Sequence, residues 1–292
     1  MRIVSLLPST TEILFALGAG DDVVGVTFEC DTPAEARERR IVSSTALPEG
    51  LDPAGIDAFV SAAVAAGEDL YRLDAGALAD LDADLVVTQD LCAVCALDVA
   101  TVEDALTHLG CRAEVLTVDP HTLAEVWGSI LAIGAATGRD AAARALVADL
   151  ERRVDAVRSA TAARLAASGR RPRVAVLEWT DPPYAPGHWI PEIVELAGGE
   201  CVLGTAGQKS VRITWEQLHA ADPDLIVVAP CGYDRAGAQA QADALQTAGL
   251  LPPGVVVHAV DADAHWARPG PRLMEGLEEL AEVLAGQPMK RR

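Results

Sequence analysis

Positive charge is scarce in this chain of 292 residues: 23 Lys and Arg stand against 43 Asp and Glu, a formal net charge of −20. So acidic a surface repels phosphate backbones and anionic headgroups, which sets nucleic acid and anionic lipid aside as partners. Aromatic residues are scarce too, with three Phe, five Trp and three Tyr, so the position of each carries information. No run is apolar for long enough to span a bilayer, and no membrane insertion is expected. Six cysteines are too few for the disulfide framework of a small secreted domain. The catalytic signatures G-x-S-x-G, Walker A and H-E-x-x-H are missing, as is a G-x-G-x-x-G after the first strand, so no enzyme is expected. Met1 to Pro8 carries one positive charge and runs straight into a patterned segment. It reads as neither signal peptide nor lipobox, and the chain as written is expected in the cytoplasm; a mis-assigned start would make it periplasmic or otherwise extracytoplasmic.

Half the residues are apolar, enough for a sizeable core, and their spacing alternates between strand and helix. Ile3 to Leu7 reads as a buried strand, Ser9 as the N-cap of a helix with Glu12 closing a capping box, and Val23 to Val26 as a second strand. Helices are expected at 52–66, 77–81 and 102–109, and strands at 85–88 and 114–118. The period then changes. His121 to Thr137 and Asp140 to Ala167 read as two long helices broken at Gly138-Arg139, and alternation resumes at Arg173. Two internal repeats bracket this divider. Glu12 to Gly18 compares with Glu192 to Gly198, and Leu78 to Val87 with Leu218 to Val227. The expected fold is α/β, with two similar lobes of parallel sheet (about 1–120 and 170–292), linking helices at 121–169 and a ligand cleft between the lobes. Ligands of such sheets bind beyond the carboxyl ends of the strands.

The segment Arg2-Ile3-Val4-Ser5-Leu6-Leu7-Pro8-Ser9-Thr10-Thr11-Glu12 with Gly18, then Phe28-Glu29-Cys30-Asp31-Thr32-Pro33, Asp181-Pro182-Pro183-Tyr184 and Arg268-Pro269-Gly270-Pro271-Arg272, resembles the class III (helical-backbone) substrate-binding proteins of ABC importers. Within that family it is most similar to the cobalamin binders. The resemblance implies non-catalytic binding of cobalamin or a related corrinoid, with no cofactor required, either for an ABC permease or as a soluble cytoplasmic carrier. Haem or an iron–siderophore on the same fold is the alternative. A corrin ring is flat and fringed with amides, and it calls for aromatic walls and a few polar contacts. The candidates are Pro8, Ser9, Thr10, Phe28, Gln89 and Asp90 in the first lobe, and Trp179, Tyr184, Trp189, His265 and Trp266 in the second. Core packing is the ordinary alternative for each Trp.

No metal site is firmly encoded. Cys30 and the pair Cys92/Cys95 follow strands and could meet at one rim, as metal ligands or, for Cys92/Cys95, as a thiol-redox pair; the plainer reading is a loop lining or a reversible disulfide. The resemblance also implies docking on the permease through one acid on each lobe. Glu216, eight residues before Asp224, matches; the counterpart position before Asp84 is Gly76, and Asp74 is the nearest substitute.

Overall fold

The computed structural model describes residues 1–89 and 113–286. The expected helix at 102–109, with Asp90, Cys92 and Cys95, lies outside the described residues. The chain divides into two units, one of residues 1–120 and 124–148, the other of residues 121–123 and 149–292.

In the first unit, β1 (Ile3–Ser5), β2 (Val23–Val26), β3 (Arg40–Ile41), β6 (Leu85–Thr88) and β7 (Glu114–Thr117) form a parallel sheet in the order β3-β2-β1-β6-β7. β4 (Ser43–Thr45) and β5 (Tyr71–Leu73) pair antiparallel beside it. β1 and β6 are buried along their whole length, including Ser5 and Thr88 at their carboxyl ends, as inner strands covered on both faces are. One covering layer comes from Ala77, Leu78 and Leu81, which pack with Val4, Val42 and Val86. The helices of this unit are α1 (Pro8–Ala16), α2 (Pro53–Ala66), α3 (Ala75–Ala79) and α4 (Leu123–Ala136), which buries Val126, Trp127, Ile130 and Ile133.

The 29-residue α5 (Asp140–Ser168) carries the division, which falls after Ala148. Ala143, Val147, Leu150 and Val154 recur at spacings of three and four and form its buried stripe. In the second unit, β8 (Arg173–Leu177), β9 (Trp179–Thr180), β10 (Pro183–Ala185), β11 (Glu200–Cys201), β12 (Val211–Arg212), β13 (Leu225–Val228) and β14 (Val256–Ala259) make two sheets. One is parallel, in the order β11-β8-β13-β14, and the other is antiparallel, in the order β12-β10-β9. Its helices are α6 (Ile190–Leu196), α7 (Trp215–Ala220), α8 (Arg235–Thr247) and α9 (Leu273–Gly286). Arg153 on α5 holds Glu278 on α9 through two hydrogen bonds of 2.9 and 2.7 Å, and Arg164 donates to the carbonyls of Leu284 and Ala197.

The internal repeats reappear as matching structure. Leu17–Gly18 and Ala197–Gly198 end α1 and α6 with a glycine in the left-handed region (φ +73° and +86°), the conformation that costs glycine least. Asp82 and Asp222 precede β6 and β13 at φ 44° and 42°. The amide of Arg2 donates to Asp84 at 2.7 Å while its Nε donates to the Leu81 carbonyl at 2.6 Å. Arg173 does the same to Asp224 and Ala221, at 2.8 Å for the amide and 2.8 Å for the guanidinium. Each pair fixes where one inner strand starts against its neighbour.

One expectation is overturned at the first helix. Ser9 is not its N-cap: the helix starts at Pro8, Leu7 is the N-cap, and Ser9 is buried. Proline suits the first helical position because its ring pre-sets φ and the missing N–H would have no intrahelical partner. With the cap moved back, the capping box to Glu12 has no place.

Asp224 is buried and also takes the Arg170 guanidinium, whereas Asp84 is exposed. Asp224→Ala is therefore expected to cost about 3 kcal/mol in denaturant unfolding, and Asp84→Ala roughly 1 kcal/mol. Equal losses would show that the two clasps do not differ as their burial implies.

Candidate functional site

In the first unit the carboxyl ends of β1 and β2 are joined by a buried hydroxyl network. The Leu7 carbonyl accepts from the Thr10 and Thr11 hydroxyls at 3.1 and 3.0 Å, and the Ser5 and Thr10 hydroxyls lie 2.6 Å apart. Thr11 also donates to the Cys30 sulfur at 3.0 Å, and the Thr27 hydroxyl lies 3.1 Å from the same sulfur. Cys30 and Thr10 are thus tied into the network that seats α1. Gln89 is buried, Pro8 is half-buried, and only Phe28 of the described first-unit candidates is exposed, at 38%. Its ring lies 5.8 Å from that of Tyr71. The Tyr71 hydroxyl in turn lies 2.9 and 3.0 Å from the two Glu29 carboxylate oxygens, to which it donates. Tyr71 and Glu29 were not singled out in the sequence; the scarcity of tyrosine was the signal that could have found the first.

At the carboxyl end of β8, Trp179 and Tyr184 face one another across the β9–β10 ladder. Both are half-buried; Trp179 lies 5.9 Å from the Tyr233 ring, and the Arg212 guanidinium sits 5.7 Å over Tyr184. Trp189 and Trp266 are placed differently from the expectation of ligand walls. They are 4% and 1% exposed, and the Trp189 indole N–H donates to the Trp266 carbonyl at 2.8 Å. A Cβ on Gly276 of α9 would lie 3.1 Å from the Trp266 indole nitrogen, so this ring fills the seat between the 263–267 turn and α9. In this structure both are packing residues. His265 is half-buried with its Nε2 3.2 Å from the Arg272 guanidinium; burial first, then Arg272, lowers its pKa, which leaves a neutral ring with Nε2 accepting.

Glu178, which the sequence reading passed over, follows β8 directly. Its carboxyl accepts from the Gly187 amide at 3.1 Å and from the Ser210 hydroxyl. Burial pushes this carboxyl up to about 7, against the pull of those two donors. Of the docking candidates, Glu216 is exposed in the first turn of α7, behind a Thr214–Gln217 capping box. Asp74 is the N-cap of α3 and accepts from the Ala77 amide at 2.9 Å. Asp74 therefore matches Thr214 in the repeat, and Gly76 matches Glu216. Among the described residues, no group of three or more His, Cys, Asp or Glu is arranged to hold a metal ion, and no helix is long and apolar enough to cross a membrane.

Comparison with known proteins bears directly on this architecture. The family model described as periplasmic binding protein matches residues 3–248. The chain belongs to that family. It is a binding protein, not an enzyme. An ABC transporter substrate-binding lipoprotein of Bacillus subtilis (strain 168), itself uncharacterized, is 28% identical over 97% of this chain and 79% of its own length. A vitamin B12-binding protein of Yersinia pestis (strain Pestoides F) is 24% identical over 98% of this chain and 87% of its own. The crystal structure of a periplasmic heme-binding protein from Pseudomonas aeruginosa shares the fold at a TM-score of 0.71 and 20% identity, over 99% of this chain and 95% of that one.

Two predictions follow from the geometry. Cys231 is exposed, Cys30 is buried, and burial above all pushes the Cys201 thiol up to about 11. Of these three, only Cys231 is expected to label rapidly with a thiol reagent at neutral pH; fast labelling of Cys30 would contradict its seat in the hydroxyl network. For Glu178, the native carboxyl binds its proton more tightly than an unfolded one, whose pKa is near 4.5. That contribution is complete below 4.5 and is lost as pH rises through 7, so Glu178→Gln is expected to gain on the order of 3 kcal/mol relative to the parent between pH 4.5 and 8. Parallel pH–stability curves for the two proteins would exclude it.

Proposed function

We propose that this protein captures cobalamin or a related corrinoid as the substrate-binding component of an ABC importer. The observation that carries the reading is where a chain so poor in aromatics puts them. Phe28 with Tyr71 in one unit, and Trp179 with Tyr233 beside Tyr184 in the other, all stand at carboxyl-end surfaces of the parallel sheets. Flat macrocycles are held by ring faces and apolar contact, each aromatic contact contributing about 1 kcal/mol beyond its buried area. The names of the Bacillus and Yersinia relatives support the importer and the corrinoid respectively. They also support a place of action outside the cytoplasmic membrane, in contrast to the cytoplasmic location expected for the chain as written. On the permease, Glu216 is the acid this reading assigns to docking, since the Asp74 carboxylate is engaged in capping α3.

One observation favours haem as a second reading. Tyr71, whose hydroxyl donates to Glu29, stands beside the exposed Phe28 ring, and a tyrosine oxygen is a known axial ligand of haem iron.

Hydroxocobalamin and haemin, titrated separately into the reduced protein, decide between them. Saturable one-to-one binding of hydroxocobalamin, weakened about tenfold in Phe28→Ala or Trp179→Ala, is the expected result. Binding of haemin alone, with a visible spectrum that changes in Tyr71→Phe, would transfer the assignment to haem. Absence of hydroxocobalamin binding up to about millimolar, a limit near −4 kcal/mol, would overturn the corrinoid reading.

A further inference from the structure

Glu178 stands where the parallel sheet of the second unit hands over to its small antiparallel sheet, and every polar group it has is engaged in that junction. Its amide donates to the Tyr184 carbonyl at 3.1 Å and its carbonyl accepts from the Cys231 amide at 3.2 Å. Its carboxyl takes the Gly187 amide on one oxygen and the Ser210 hydroxyl on the other. The segments 186–188 and 207–210 are tied to each other as well, His188 N–H to the Gln208 carbonyl at 2.6 Å and Gly207 N–H to the His188 carbonyl at 3.0 Å. There is no slack between them, because a Cβ at Gly187 would lie 2.4 Å from the Gln208 carbonyl oxygen. These segments lead directly out of β10 and into β12, which carry Tyr184 and Arg212 as direct ladder partners.

We propose that Glu178 is a positioning residue that pins the 186–188 and 207–210 segments to the end of β8 and so sets the ligand-facing pair Tyr184 and Arg212. The ligand arm of this inference rests on the proposed function; the pinning does not. A glutamine would fill the same space with less desolvation, so a carboxylate here is held against stability, as groups serving a function often are. Ionised, it accepts two charge-assisted hydrogen bonds but carries the full cost of burying a charge; protonated, it keeps an acceptor oxygen for the ties and sheds that cost, and burial is the larger of the two effects, so the closed junction holds the proton. The groups around it are few. The Gly187 amide and Ser210 touch the carboxyl, and the Cys201 thiol on β11 is pushed up by burial first and then by the charges of Glu195 and Glu178. His188 and Lys209 neighbour the two contact residues in the chain, Arg212 follows on β12, and Cys231 meets the Glu178 carbonyl through its amide. Loosening as pH rises through about 7 is therefore assigned to Glu178.

The test uses the full chain, with Glu178→Gln, Glu178→Ala and Ser210→Ala, between pH 5.5 and 8.5. Without ligand, hydrogen exchange at the Gly187 and His188 amides is compared with the parent at each pH. Exchange, as protection relative to the intrinsic rate at each pH, is expected to be faster in Glu178→Ala at every pH and in Ser210→Ala to a lesser degree, while the parent loosens relative to Glu178→Gln as pH rises through 7. With hydroxocobalamin or haemin as probe, the parent's affinity is expected to fall about tenfold as pH rises from 5.5 to 8.5 while that of Glu178→Gln stays level. Unchanged protection of Gly187 in both Glu178→Ala and Ser210→Ala would overturn the pinning. Intact pinning together with identical pH profiles of affinity for parent and Glu178→Gln would overturn its effect on the ligand. If neither probe binds the parent protein, the ligand reading of the preceding section fails while the exchange data still decide the role of Glu178.

Discussion

The arginine–aspartate clasp at the start of each central strand is the constraint from which the rest of each unit follows. A parallel sheet gains nothing from a tight turn: its neighbouring strands are joined by long crossovers, so their relative register must be set by something else. Here the amide of Arg2 or Arg173 reaches the carboxylate of Asp84 or Asp224, and the guanidinium reaches back to the carbonyl of Leu81 or Ala221. The strand start and the end of the preceding helical turn are thereby locked in one step. With the amino ends aligned, strands of three to five residues end nearly level, and the segments that leave them emerge along one edge. That edge is where a ligand can be met without disturbing the ladder hydrogen bonds.

The two units use that edge differently, although the clasp is common to both. In the first, β1 runs into a knot of hydroxyls around the Leu7 carbonyl that also seats the Cys30 sulfur. The Ser and Thr hydroxyls of this junction carry no charge at any ordinary pH. In the second, β8 runs into Glu178, whose charge depends on pH near neutrality. One unit therefore offers an aromatic pair, Phe28 and Tyr71, on a fixed base, and the other offers Trp179 and Tyr184 on a base that titrates.

Much of this was legible in the sequence. Apolar runs bounded by Gly and Asp give the inner strands, because burial on both faces leaves a short unbroken signal. The repeats at Glu12/Glu192 and Leu78/Leu218 reveal two similar units, because left-handed glycines and aspartates recur where the same turn recurs. What escaped was decided by side-chain direction. Ser9 has the right type and spacing for an N-cap, yet Pro8 one residue earlier claims the first helical position. Trp189 and Trp266 come after strands as Trp179 does, and tertiary contacts bury them, Trp266 against Gly276 of α9 and Trp189 through its hydrogen bond to the Trp266 carbonyl. Glu178 gave no signal, since a single acid after a strand is ordinary until two loops close over it.

Scarcity of aromatic residues also limits what the binding surface can be. With 11 aromatic side chains in the whole chain, and with Trp127, Trp189 and Trp266 committed to packing, few ring faces remain to meet a ligand. A ligand held mainly by stacking must then be large and flat enough to cover more than one ring face, which a small sugar, amino acid or bare ion cannot do. Corrin and porphyrin both meet that condition, so ring stacking alone does not separate them. The discrimination falls to polar groups beside the rings. Arg212 over Tyr184 suits the carboxylates of a porphyrin or the amide carbonyls of a corrin, whereas the Tyr71 oxygen suits a metal that lacks its own axial base. Cobalamin carries such a base within its own nucleotide tail and has no need of a protein phenolate. Tyr71, rather than the stacking surfaces, is therefore the residue whose behaviour distinguishes the two ligands.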